Sequence, residues 1–196
     1  MLGYRTGLLV GLAMAAAMAV STPLLADEIM KAEDIAAALA GGESAVSGEA
    51  TRGISGIKNT PVRGAVSLST ITFATNSADP TAEAKQQVAE LAGAINSVRP
   101  KSLKPNTLYL IVGHTDTQGD RTYNLELSKL RAKNVALMLT HDFNIPENEI
   151  MNVGVGQDYP AFDKDPPDSR RNRRVEIINC KQQKSECDDR VSKYGL

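Results

Sequence analysis

Between Ala65 and Ile178 the apolar residues switch back and forth between two spacings, and few architectures accept such a switch. Segment 65–75 alternates, with Val66, Leu68, Ile71 and Phe73 apolar, as strands or a strand with a break would. Asp79-Pro80-Thr81 offers a helix start, with proline where its missing N–H does no harm. Val88, Leu91, Ile95 and Val98 then recur at helical spacing through 82–98, with Glu83, Lys85, Gln86 and Gln87 expected to face water. Segment 107–112 is a continuous apolar run, the mark of a buried strand. A second helix is expected over 123–141, a strand over 150–155 and a last strand over 175–178. Residues 100–105 and the polar stretch 157–168, with its three prolines, read as loops. The order β-α-β-α-β-β predicts an α/β sandwich, a mixed sheet with helices packed on one or both faces.

The flanks read differently. Arg5, the uncharged apolar run 7–20, the break at Ser21-Thr22-Pro23 and the small Ala26 have the layout of a cleaved secretory signal over 1–26. That run falls short of the roughly 20 residues that a membrane span needs; an uncleaved anchor is the alternative. Residues 27–65 read as a short helix over 28–40, with Ile29, Ile35 and Leu39 on one stripe, followed by a flexible linker. The helix is either a mobile appendage or a docking segment for an outer-membrane or periplasmic protein partner. Residues 180–196 form a C-terminal tail. In an oxidising compartment its Cys180 and Cys187 are expected to pair, closing a short loop worth about 2 to 3 kcal/mol. No cluster of His or further Cys completes a zinc site around them, and no cofactor is implied.

A formal net charge of -1 argues against a partner held by its phosphates, so no nucleic-acid partner is expected. Arg170-Arg171-Asn172-Arg173-Arg174 then reads as a solvated strand entry. The informative segment is Gly113-His114-Thr115-Asp116, directly after the buried strand, where ligands gather in open α/β sheets. Asp116 alone could be an Asx turn or a helix cap. The following helix, however, places Asn124, Leu127, Ser128, Arg131, Ala132 and Val135 on one stripe facing the sheet. A guanidinium on that stripe needs a counter-charge or an anionic ligand, because an unpaired buried charge is strongly unfavourable. By topology Asp116 is its nearest candidate partner, and an internal salt bridge competes evenly with a ligand site.

These blocks, with Asn172-Arg173-Arg174-Val175-Glu176-Ile177 and Gly154-Val155-Gly156, resemble in order and spacing the OmpA-like peptidoglycan-binding domain over about 66–179. The resemblance implies a non-enzymatic domain that binds the diaminopimelate of the peptidoglycan stem peptide. It carries over Asp116 and Arg131 as the principal contacts, with Asn124, Leu127 and an arginine of Asn172–Ile177. Strand alternation puts Arg173 on the face of Val175 and Ile177, which favours it over Arg174. Ala74-Thr75-Asn76 departs from the acidic residues often found there, so no contact is expected from that loop. Residues 27–65 are too short for a membrane barrel, so a periplasmic wall-binding module is expected, associated with the cell wall and outer membrane.

An enzyme is the rival class. The chain has two His and no Gly-x-Ser-x-Gly elbow, and nothing completes a nucleophile site. A cationic neighbour favours a charged Asp116, whereas a wall hydrolase needs an acid that keeps its proton. His114 is expected to be structural.

Overall fold

The central strand β2 (Tyr109–His114) has every residue buried, as its unbroken apolar run predicts. It lies between β4 (Val175–Asn179), which runs antiparallel to it, and β3 (Ile150–Gly156), which runs parallel. The edge strand β1 (Ala65–Leu68) pairs antiparallel with β4, giving a mixed four-stranded sheet of order β1-β4-β2-β3. The computed structural model describes residues 29–41, 64–73, 77–99, 109–160, 172–181 and 184–194. The expected export signal, most of the expected linker and the 100–105 loop lie outside these residues.

One face of the sheet carries Val66, Leu68, Tyr109, Ile111, Val175 and Ile177 into the main core. Against it pack α2 (Ala82–Val98), through Val88, Leu91 and Ile95, and α3 (Arg121–Leu137), through Ala132 and Val135. Each helix starts on a side-chain cap: Thr81 accepts from the Ala84 amide at 3.2 Å, and Asp120 from the Tyr123 amide at 3.0 Å. The proline of the predicted start therefore lies one residue before the cap. Past Leu137 the second helix winds on as a π turn, Met138–Asp142, which buries Leu139.

The short N-terminal helix forms at Ala32–Leu39 (α1) and belongs to this same core, with Ile35 and Leu39 fully buried. Gln87, expected to face water, is fully buried on α2 and holds the new helix by its backbone. Its Oε1 accepts from the Met30 amide at 2.8 Å and its Nε2 donates to the Met30 carbonyl at 2.9 Å. Glu90 accepts from the Ala32 amide at 2.8 Å, satisfying a first-turn donor that Lys31, the cap residue, leaves open. The apolar stripe of α1 is thus occupied within the chain.

The second face of the sheet carries Leu110, Val112, Val153, Val155 and Ile178. α4 (Lys184–Tyr194) packs on it through Cys187 and Tyr194, so the tail beyond the expected domain joins this second core. Cys180 and Cys187 form a disulfide, with Cys187 buried in this second core. At the far end of α4 the Tyr194 ring meets that of Tyr159, 5.2 Å between centroids. Helices therefore pack on both faces.

Candidate functional site

The exit of β2 is shaped by how closely α3 lies on the sheet. Gly113 of β2 and Gly154 of β3 are register partners beneath the Ser128 turn of the helix. A Cβ at Gly113 would sit 2.3 Å from the Ser128 carbonyl oxygen, so only glycine admits the helix backbone here. Ser128 locks the contact, accepting from the Gly156 amide at 2.8 Å and donating to the Leu125 carbonyl at 2.7 Å. Beyond Gly113 the register shifts, His114 pairing with Gly156, and the Thr115 amide donates to the Gly156 carbonyl at 2.9 Å. Gly119, at φ +94°, allows the following loop to turn back into α3.

This geometry leaves a cleft of about 480 Å³ between the β2 exit, the start of α3, the end of the 71–73 segment and the approach to β4. Asp116, Asn124, Leu127, Arg131 and Arg173 all line it. Residues predicted from sequence separations of up to 57 positions are thus brought to one place.

Arg131 is 7 % exposed. Its Nε donates to the Ser77 carbonyl at 3.2 Å, and its guanidinium lies 4.9 Å from the centroid of the Phe73 ring. Asn134, one turn on, donates to the Ala78 carbonyl at 2.8 Å and ties down the same loop. Among the described residues no carboxylate lies within ion-pair distance of Arg131. Burial lowers its pKa, and the charge of Arg173 lowers it further; Asp116 and Tyr123 oppose both. An arginine stays protonated at neutral pH all the same.

Among the described residues Asp116 pairs with Arg173, not with Arg131. Arg173 Nη1 donates to Asp116 Oδ2 at 2.5 Å, while Oδ1 accepts from the Gln118 amide at 3.3 Å, so the carboxylate also makes an Asx-type turn. Arg174, one residue on, also lines the cleft but is held by other partners. Its Nε donates to Glu176 Oε1 at 2.9 Å, its Nη2 donates to that same oxygen, and Nη2 also donates to the Tyr159 carbonyl at 3.2 Å. His114 Nε2 stands 3.4 Å from the same Glu176 oxygen, with both side chains buried, which fits a structural role. Asn124 Nδ2 holds the loop, donating to the Gln118 carbonyl at 2.9 Å and to Gln157 Oε1 at 2.8 Å. Leu127, 9 % exposed, gives the cleft an apolar wall.

Sequence reasoning missed Phe73 as the surface on which Arg131 lies, and Glu176 as the partner of Arg174. A charged residue inside the buried strand β4 was a legible signal for the second, since Arg174 is two residues away on the same face. Nothing local marked the first. In charge, Asp116 and Glu176 offset Arg173 and Arg174, so Arg131 is left over and the cleft is net cationic among the described residues. With a buried carboxylate at hand as well, it can receive a group that carries an ammonium and a carboxylate together. Among the described residues no cluster of His, Cys, Asp or Glu could hold a metal ion, and no helix is long and apolar enough to cross a membrane.

A four-stranded mixed sheet with helices on both faces and a carboxylate-and-guanidinium cleft at one strand exit places the chain in the α/β sandwich class. The chain belongs to the OmpA family, whose model matches residues 72–174. The peptidoglycan-associated lipoprotein of Legionella pneumophila is 37 % identical over 75 residues, covering 38 % of this chain and 42 % of that protein. The putative lipoprotein YfiB of Escherichia coli is 31 % identical over 109 residues, 55 % of this chain and 64 % of its own length. The chain spans less than two thirds of either relative, and 21 % of outer membrane porin F from Pseudomonas aeruginosa. Among solved structures, the cell wall anchor of the T6SS from Pseudomonas aeruginosa superimposes with a TM-score of 0.48 at 26 % identity, covering 59 % of this chain and 79 % of that one.

Proposed function

We propose that the cleft binds the peptide stem of peptidoglycan without covalent chemistry and anchors the protein to the cell wall from the periplasmic side. The observation that carries this reading is Arg131: a nearly buried guanidinium without a carboxylate partner among the described residues, set beside the buried carboxylate of Asp116. Burying a charge without a counter-charge is costly, and a ligand carboxylate relieves the cost through charge-assisted hydrogen bonding, for which a guanidinium offers two parallel donors. The side chain of meso-diaminopimelate ends in an ammonium and a carboxylate on one carbon. Asp116 takes the first and Arg131 the second, Leu127 packs on the methylene stem, and Asn124 keeps the Asp116 loop in place. Family membership and the likeness to a peptidoglycan-associated lipoprotein support the wall as the ligand's source.

The reading is of a module that holds its ligand and does not cleave it, since the groups at the cleft serve charge recognition. Any outer-membrane or periplasmic protein partner engaged through residues 27–65 must use surfaces other than the apolar stripe of α1, which is buried. Co-sedimentation with purified diaminopimelate-type sacculi tests the reading. The wild type should pellet with the wall, and Asp116→Ala and Arg131→Ala should each lose about 2 to 5 kcal/mol of binding while staying folded. Equal pelleting of all three proteins would place the wall contact elsewhere.

A further inference from the structure

Three consecutive residues past β3 bridge the two sides of the cleft. Gln157 Oε1 accepts from Asn124 Nδ2 at 2.8 Å, and that same nitrogen donates to the Gln118 and Asp116 carbonyls at 2.9 and 3.4 Å. Asp158 takes Arg121, the first residue of α3, in a two-point ion pair with both contacts at 2.9 Å. The Tyr159 carbonyl accepts from Arg174 Nη2 at 3.2 Å, and Arg174 lines the cleft. Segment 157–159 therefore joins the α3 side to the approach to β4. The segment is in turn held by α4. The half-buried Tyr159 packs on the second core, and Lys193 Nζ lies 4.2 Å from its ring centroid. The Tyr194 ring stands 5.2 Å from the same centroid at an interplanar angle of 57°.

We infer that the end of α4 is a clamp on Tyr159, and that Tyr159 is a positioning residue which sets Asn124 and Arg174 for the ligand through segment 157–159. The inference rests on reading the cleft as a diaminopimelate site, and it gives the C-terminal helix a part in binding. α4 lies outside the residues 72–174 that the family model matches, so the clamp belongs to this chain's own tail. Contacts on the ring restrict the Tyr159 side chain, and the carbonyl that meets Arg174 leaves the same residue's backbone. Releasing the ring lets the segment move, so Gln157 no longer meets Asn124 in one fixed geometry. The Asp116 loop that Asn124 ties is then less well placed for an ammonium. Affinity falls through lost preorganisation, with no ligand contact removed.

The test is a double-mutant cycle in affinity for free meso-diaminopimelate, read by NMR titration of Tyr159→Leu, Tyr194→Leu and the pair at a temperature where all are folded. Each single variant should bind roughly threefold to tenfold more weakly, the range that an aromatic contact spans. The pair should bind no more weakly than the worse single variant, because both break one clamp. Tyr159→Phe keeps the ring and should bind as the wild type does. In the ligand-free protein the Asn124 side-chain amide and Arg174 Nε–H signals should shift in both leucine variants. Unchanged affinity in either single variant, losses that add in the pair, or a loss in Tyr159→Phe equal to that in Tyr159→Leu overturns the clamp. If the wild type binds no diaminopimelate, the two signals decide. Shifted in both leucine variants, they leave the clamp standing while the ligand assignment falls; unshifted, they overturn the clamp as well.

Discussion

Gly113 and Gly154 sit opposite each other on the parallel strands β2 and β3, and the backbone of α3 rests on both. A Cβ at Gly154 would lie 2.1 Å from the Lys129 amide nitrogen and 2.5 Å from Ser128 Oγ. Both neighbours are fixed, one as helix backbone and one by its hydrogen bonds, so the helix would have to lift. Gly154→Ala should destabilise the fold by about 1 to 3 kcal/mol or more, as overpacking does. It should also weaken wall binding, because the lifted helix carries Arg131. Urea unfolding beside co-sedimentation checks both; a variant as stable as wild type would mean that the contact relaxes without effect.

Tyr109 is fully buried with its hydroxyl unpaired; nearby, Arg99 Nη1 and Glu149 Oε2 form an ion pair at 3.7 Å. Burial pushes the phenol up from 10.0 to about 12; the charge of Glu149 adds to the shift and that of Arg99 opposes it. The folded protein therefore holds this proton more tightly than the unfolded chain. The associated stability is whole below pH 10 and is lost as pH rises from 10 to about 12. Tyr109→Phe should be as stable as wild type at neutral pH, or more so, because no hydrogen bond is removed. It should also escape roughly 2 to 3 kcal/mol of the alkaline loss. Denaturant unfolding at pH 8 and pH 12 reads this directly, and parallel losses in the two proteins would contradict it.

Among the described side chains of α4, Lys184, Asp188, Asp189, Ser192 and Lys193 are exposed, while Cys187 is the buried contact with the sheet. A helix of this length is marginal without tertiary support, so the disulfide to Cys180 is its main tether. Replacing both cysteines by serine should cost about 2 to 3 kcal/mol. Amide exchange should show α4 opening ahead of the sheet. Protection of α4 equal to that of wild type would assign the tether to the Tyr159–Tyr194 contact instead.

Ile35 is fully buried in the main core although α1 lies outside the segment that the family model matches. Ile35→Asp should cost about 3 kcal/mol or more, a lost core side chain plus a buried carboxylate. If thermal unfolding were unchanged, α1 would be a dispensable appendage.

The order of strands and helices was legible because each element keeps one clean period, and the inner stripe of α3 was legible because Asn124, Ser128 and Arg131 interrupt it with polar groups. The pairing of those groups was not. Asp116 could be matched with Arg131 or with a ligand on topology alone, and its actual neighbour lies 57 residues along the chain. Gln87 looks like any surface glutamine until α1 brings an unpaired backbone amide to it. The stripe of α1 and the two cysteines showed that something would be buried or joined, but a short apolar stripe does not name the surface it meets. Partner choice across the fold is a tertiary fact, and local pattern reports only the need for a partner.

The most direct measurement of the central claim is a calorimetric titration of the protein with two soluble stem peptides that differ at the third residue, one with meso-diaminopimelate and one with lysine. Lysine keeps the ammonium and lacks the carboxylate. The account predicts binding of the first peptide, binding of the second about tenfold or more weaker, and near-loss of that preference in Arg131→Ala. Equal affinity for the two peptides in the wild type would contradict recognition of the zwitterion by Asp116 and Arg131.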